Sequence, residues 1–224
     1  MRLYGLVTLL AGVLLSVAAT AAPPSNVLLS MDGETMSPFQ WLNPPPQARF
    51  EEGSLTVVAS PETDFFIDPE NGNSSASAPL LWRPVEGDFV ASALVEPDFS
   101  DTWHAVALMV LIDDQNWIKF AFENSDATGP SIVSVVTRGV SDDANGVVLK
   151  DTQQVWLKLI RKGDVYAMHW SLDGENYRMT RVAKMPAAAS VKVGVEAQSP
   201  LQGGATHRIH HLSIEAKTVE NVRT

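Results

Sequence analysis

Apolar and polar residues alternate along most of this chain with a period of two, the spacing of strands whose side chains point to opposite faces. The alternation is clearest in Asn116-Trp117-Ile118-Lys119-Phe120-Ala121-Phe122-Glu123. Ile118, Phe120 and Phe122 make one wholly apolar face. Trp117, Lys119, Ala121 and Glu123 share the other, which carries a ring, a cation, a gap and a carboxylate. That face is too polar for a core between sheets and too varied for plain solvent cover. It is expected to wall a groove.

The same reading places strands along the rest of the chain. Val27 to Asp32 is a short apolar run and a first strand. Phe39 to Asn43 runs into Pro44-Pro45-Pro46 and so belongs to an edge. Ser54 to Ala59, Pro79 to Trp82 and Phe89 to Val95 follow. Ala105 to Ile112 is apolar on both faces and suits a central strand covered on both sides. Asp113-Asp114-Gln115-Asn116 turns it into the strand described above. Ile132 to Thr137 is β-branched. Gln154 to Arg161, Val165 to Ser171 and Tyr177 to Val182 form a meander, and Val191 to Ala197 and Thr206 to Glu215 complete the set. Asn71 to Ala78 and Ser141 to Gly146 read as loops, and Lys217 to Thr224 as a fraying tail. About a dozen short strands without an amphipathic helix predict an all-β, two-sheet antiparallel β-sandwich or jelly roll.

Composition adds a compartment. Leu6 to Val17 is an apolar run behind Arg2, and Ala19-Thr20-Ala21 is a small-residue cleavage box. Residues 1–21 are therefore expected to be a cleaved signal peptide, with the mature chain secreted or periplasmic and not held in a membrane. Residues 22–216 form the expected β-sandwich domain and 217–224 its tail. The formal charge is −10, and such a surface repels nucleic acid and anionic lipid. No cysteine is present, which excludes thiolate catalysis, disulfides and cysteine zinc sites.

Several stretches, in order, resemble one family: Thr63-Asp64-Phe65-Phe66, Gly87-Asp88-Phe89, Ala107-Leu108-Met109-Val110, Asn116-Trp117-Ile118-Lys119-Phe120, Ser134-Val135-Val136-Thr137-Arg138-Gly139, Ser141-Asp142 and Ser199-Pro200. Together they are similar to the concanavalin-A-like family of unknown function that includes the yeast regulation-of-enolase protein. The resemblance covers about Phe39 to Ile214. It implies a jelly roll of the lectin and glucanase type and no known activity. Two departures stand out. Trp103-His104-Ala105-Val106 replaces a more usual Asp-Gln-Ala-Gly, and Asp143 stands where the family usually has tryptophan.

Trp117, Lys119 and Glu123 are the first candidates for a ligand site. A ring offers a platform for a sugar face, and charged neighbours bind hydroxyls. The bland alternative is a packed Trp beside a surface Lys–Glu pair. Ser134 and Thr137 are candidates on the next strand, although an odd spacing prevents both from facing one groove. Asp142 is a candidate from the following loop. Trp103 and His104 precede the central strand and are expected at the rim, His104 having a satisfied loop histidine as its plain alternative. His207, His210 and His211 do not converge with other ligands, so no metal is expected. Asp113 to Asn116 is explained by a solvated turn more simply than by calcium. No P-loop, dinucleotide fingerprint or nucleophile-elbow serine is present, and no cofactor is expected.

These residues support an exported lectin-like protein that binds a carbohydrate or polyol, with a glycan as its partner. Two alternatives remain. One is a glycan hydrolase or lyase using Glu123, which would need a second carboxylate across the scissile bond. The other is an accessory subunit whose groove receives no small molecule.

Overall fold

The computed structural model describes residues 24–224; the expected signal peptide lies outside the described residues. The strands are β1 (Gln40–Leu42), β2 (Gln47–Glu51), β3 (Ser54–Ala59), β4 (Phe65–Ile67), β5 (Ser74–Ala76) and β6 (Leu80–Glu86). Next come β7 (Phe89–Glu96), β8 (Ala105–Asp113), β9 (Asn116–Ser125), β10 (Gly129–Arg138) and β11 (Ser141–Val148). The chain ends with β12 (Val155–Lys162), β13 (Val165–Ser171), β14 (Arg178–Lys184), β15 (Ser190–Gln198) and β16 (Ala205–Ala216). Two seven-stranded antiparallel sheets form the sandwich, one ordered β1-β6-β15-β8-β9-β10-β11 and the other β14-β13-β12-β7-β16-β3-β2. The all-β, two-sheet architecture expected from the alternation is the one observed.

The core lies between the sheets, where Ile118, Phe120 and Phe122 of β9 meet Leu157 and Leu159 of β12 and Ala91 and Ala93 of β7. Burying the Ile, Leu and Phe side chains stabilises the fold by about 1.5–3 kcal/mol each. The outer face of the first sheet is partly roofed by a two-stranded hairpin, β4–β5. Phe65 and Ile67 of that hairpin pack on Trp117, Met109 and Leu111. This cover explains why β8 is apolar on both faces.

Four local expectations need correction. Val27–Ser30 is a 3-10 turn and not a strand, because the Asn26 Oδ1 accepts the Leu28 N–H at 3.1 Å. The Asn26 amide also donates to the Gly53 and His210 carbonyls, which pins this turn to the second sheet. Ser141 to Gly146 belongs to edge strand β11, paired with β10 from Thr137↔Ser141 to Ser131↔Val148. An edge strand can satisfy its backbone with few apolar side chains, so its composition resembles a loop. Ser74–Ala76, inside the expected loop, is β5. The tail is also tied down: Lys162 Nζ donates to the Glu220 carbonyl at 2.7 Å, and His169 Nε2 to the Val222 carbonyl at 2.9 Å.

Candidate functional site

Register places four rows across the outer face of the first sheet. Trp117 of β9 lies beside Leu111 and Thr137, and Lys119 beside Met109 and Val135. Ala121 lies beside Ala107 and Val133, and Glu123 beside Ala105 and Ser131. On the far side of β8, Glu196 pairs with Ala107 and Gln198 with Ala105. The β4–β5 hairpin covers the Trp117 end. Phe66, between its two inward residues, packs on the small residues Ala105, Ala107 and Ala121 with Val133 and Val135. Beyond it the face stays open as a cleft of about 560 Å³, within the range of small-molecule sites.

Lys119 is the centre of that cleft. Its Nζ lies 2.7 Å from Asp64 Oδ1 and 2.7 Å from Gln198 Oε1. Burial opposes its charge, but Asp64, Glu196 and Glu123 outweigh burial and hold its pKa above the ordinary lysine value. Glu123 is 6% exposed and lines the cleft. Burial pushes its carboxyl up to about 8 against the pull of Lys119, and Asp143, Asp64 and Asp126 add to the push. Glu196 is fully buried, and neither of its carboxyl oxygens has a hydrogen-bond partner among the described residues. Burial raises it to about 8 as well, opposed by Lys119 and reinforced by Asp64 and Glu123. One cation and its salt-bridge partner therefore sit beside two carboxyls that keep their protons near neutrality.

The lip is built by the segment before β8. Trp103 takes a left-handed φ of 60° and is 38% exposed. Its N–H donates to the Asn124 carbonyl at 2.7 Å, and its own carbonyl accepts from Gln198 Nε2 at 2.8 Å. Gln198 thus joins the ring's backbone to Lys119. A non-glycine residue held at positive φ is costly and calls for such surrounding support.

The structure separates the expected site residues. Trp103, Lys119 and Glu123 line the cleft. Trp117 does not: it is fully buried, with Phe65 edge-on at 5.9 Å, so its expected role as a stacking platform is corrected. Thr137 shares the groove face but lies under the hairpin, 2.8 Å from Ser141 Oγ, which in turn accepts the Ile67 N–H at 2.9 Å. Ser134 points to the opposite face, where Arg181 reaches its carbonyl at 3.2 Å. Asp142 pairs with Arg181 at 2.8 Å on that same face, and its neighbour Asp143 lines the cleft instead. His104 is no rim residue. It is fully buried, donating from Nδ1 to the Asp98 carbonyl at 3.1 Å, with Nε2 3.1 Å from Ser199 Oγ. It holds the loop that presents Trp103.

The three downstream histidines go to different tasks. His207 donates from Nε2 to the Gln198 carbonyl at 3.0 Å, and its Nδ1 accepts the Asp98 N–H. Burial pushes it down to about 4, so it is neutral. His210 pairs with Glu96 at 2.7 Å, and His211 packs on Trp156. In the Asp113–Asn116 turn, Asp113 Oδ1 accepts the Gln115 N–H and the Asn116 amide.

Asp64, Phe66, Asp126, Asp143, Glu196 and Gln198 join the site without being expected there. For Glu196 and Gln198 the sequence holds a signal. Val191, Val193, Val195 and Ala197 alternate with them, which puts both on the outer face. Asp64 has no such alternation, and its partner is 55 positions away; it stands out only within the family-like Thr63-Asp64-Phe65-Phe66 stretch.

Residues 41–217 match the family model described as "Protein of unknown function (DUF1349)". The chain belongs to this family. It is 28% identical over 169 residues to Regulation of enolase protein 1 of Saccharomyces cerevisiae, covering 75% of this chain and 85% of that protein. A solved structure of a functionally unknown S. cerevisiae protein superposes with a TM-score of 0.76 at 27% identity, over 81% of this chain and 97% of that one. The sandwich is also similar to part of a GH43 protein from Bacillus licheniformis, with a TM-score of 0.67 at 13% identity over 86% of this chain and 39% of that chain. The carbohydrate recognition domain of Emp47p matches with a TM-score of 0.53 at 12% identity, over 85% of this chain and 93% of that one. At such identity these last two share the fold alone.

Proposed function

We propose that this is an exported carbohydrate-binding protein whose ligand lies in the Lys119 cleft and is not cleaved there. The reading rests on one observation. An exposed Trp103 lines the same cleft as Lys119, Gln198 and Glu123, the pairing of a flat apolar surface with hydroxyl partners that a sugar ring requires. Trp103 takes the stacking role, and Glu123 and Lys119 bind hydroxyls. The likeness of fold to a carbohydrate recognition domain is consistent with this and adds no ligand. Calorimetric titration with oligosaccharides is expected to give saturable binding that weakens about tenfold in Trp103→Ala, a loss of about 1.4 kcal/mol. No binding across a broad glycan panel, or binding that Trp103→Ala leaves intact, overturns the reading. Export predicts a mature N-terminus at Ala22, read by terminal sequencing of the exported protein.

A hydrolytic reading has one observation in its favour: Glu123 keeps its proton near neutrality in a cleft that Asp143 also lines, as an acid with a second carboxylate would. It predicts new reducing ends from a bound glycan, abolished by Glu123→Gln.

A further inference from the structure

The cleft has an excess of negative charge that a neutral sugar does not explain. Of the residues lining it, six carry carboxyls, and Lys119 is its one cation. Asp64 is already committed to Lys119 at 2.7 Å. Glu123 is the unusual member. It is more than nine-tenths buried, it points into the cleft, and its carboxyl makes no hydrogen bond or ion pair among the described residues. Its oxygens face the cleft, so a ligand there can supply the partner that the protein does not.

We propose that the ligand carries a protonated amine: an amino-sugar unit whose ammonium group pairs with Glu123 within the field of Asp126 and Asp143, while its ring lies on Trp103. This rests on the carbohydrate reading above and narrows it. The spread of the acids favours an organic cation over a metal ion, since among the described residues no three such side chains stand close enough to hold one ion. An ammonium group needs no such set of protein ligands, because one N–H can pair with Glu123 while the other two donate to water or to hydroxyls of the sugar itself.

The protonation of the cleft gives a second readout. The charged groups facing Glu123 are Lys119 on its own strand and three acids, Asp143 on β11, Asp64 ahead of β4 and Asp126 in the turn after β9; the carboxyl of Glu196 on β15 lies near it as well. Burial and the three acids keep the Glu123 proton on; an ammonium group beside it favours its loss. Binding near neutral pH therefore expels a proton to the buffer.

The test uses the full chain and three probes: a glucosamine trisaccharide, a glucose trisaccharide of the same linkage, and the sugar-free polyamine spermidine. Titrations in two buffers of different ionisation enthalpy report both affinity and proton release. The amino sugar is expected to bind most tightly, weaken with salt, and release a proton that Glu123→Gln abolishes. Asp126→Asn and Asp143→Asn, at exposed positions, are each expected to lower the preference for the amino sugar by up to about fivefold, the size of one exposed ion pair. Equal or tighter binding of the glucose trisaccharide, with no proton released, overturns the inference and leaves the carbohydrate reading standing. Tight binding of spermidine with no selective gain from the sugar overturns the carbohydrate reading, and the inference with it. Silence from all three probes overturns both.

Discussion

Trp117 and Lys119 stand two residues apart on one strand and project from the same face, yet one lies in a dry interior and the other at the bottom of a cleft. The difference is made by a short hairpin. Phe65 and Ile67 descend on Trp117, Met109 and Leu111 and exclude water from that end. Asp64, one residue before Phe65, reaches instead for Lys119. The same segment therefore seals one end with apolar contacts and furnishes the other with a counter-ion. Sealing depends on packing, whereas the open end depends on charges that must be matched, because a buried ion without a partner is far costlier than an exposed one.

The contrast can be broken from the sealed end with the largest effect. Trp117→Ala removes a fully buried indole and is expected to destabilise the chain by about 3–5 kcal/mol in urea unfolding. Any residual folded protein should keep its ligand preference, since Trp117 does not line the cleft; a changed preference would show that the two ends are not separate. Asp64→Asn acts at the open end. It leaves Lys119 without its salt-bridge partner and is expected to cost about 2 kcal/mol, less than for a fully enclosed pair because Asp64 is partly exposed.

The third test is a pH profile. Glu123 and Glu196 stand at about 8 in the folded chain, above their ordinary value of 4.5. Between those values the folded chain holds protons that the unfolded chain has released, so stability falls as pH rises. Stability from these groups is fullest below about 4.5 and is gone above about 8, with a slope of up to about 1.4 kcal/mol per pH unit for each proton retained. Glu196→Gln should flatten the curve, and a wild-type profile that is already flat would contradict this account. The smallest stability effect belongs to Trp103→Ala, expected at about 0.5 kcal/mol because the ring is exposed and its backbone strain is relieved little by alanine. Its loss in binding, by contrast, is about tenfold.

Alternation alone makes both faces of β9 legible, because Ile118, Phe120 and Phe122 can only share a core. It does not show which end of the polar face is covered, since the cover comes from Phe65 and Ile67, far earlier in the chain and in a strand of only three residues. The exchange of Asp142 for Asp143 has a similar cause. A stretch with the composition of a loop has no parity, and once Thr137 pairs with Ser141 the groove-facing position passes to Asp143. Pairing with β9 assigns Thr137, beside Trp117, to the groove face and Ser134, beside Phe120, to the other. His104 defeats a reading by residue type, because a histidine before a strand looks the same in sequence whether it points to solvent or, as here, braces Asp98 and Ser199.

The hairpin has a consequence for how such a scaffold can change its specificity. Between the Thr63↔Ser199 bridge and the start of β6 at Leu80, it is one continuous excursion from the two large sheets. Recharging its cleft-lining positions Asp68 and Glu70 would redraw the polarity of the recess, whereas changes at Asp64, Phe65 or Ile67 would also remove support from Lys119 and Trp117.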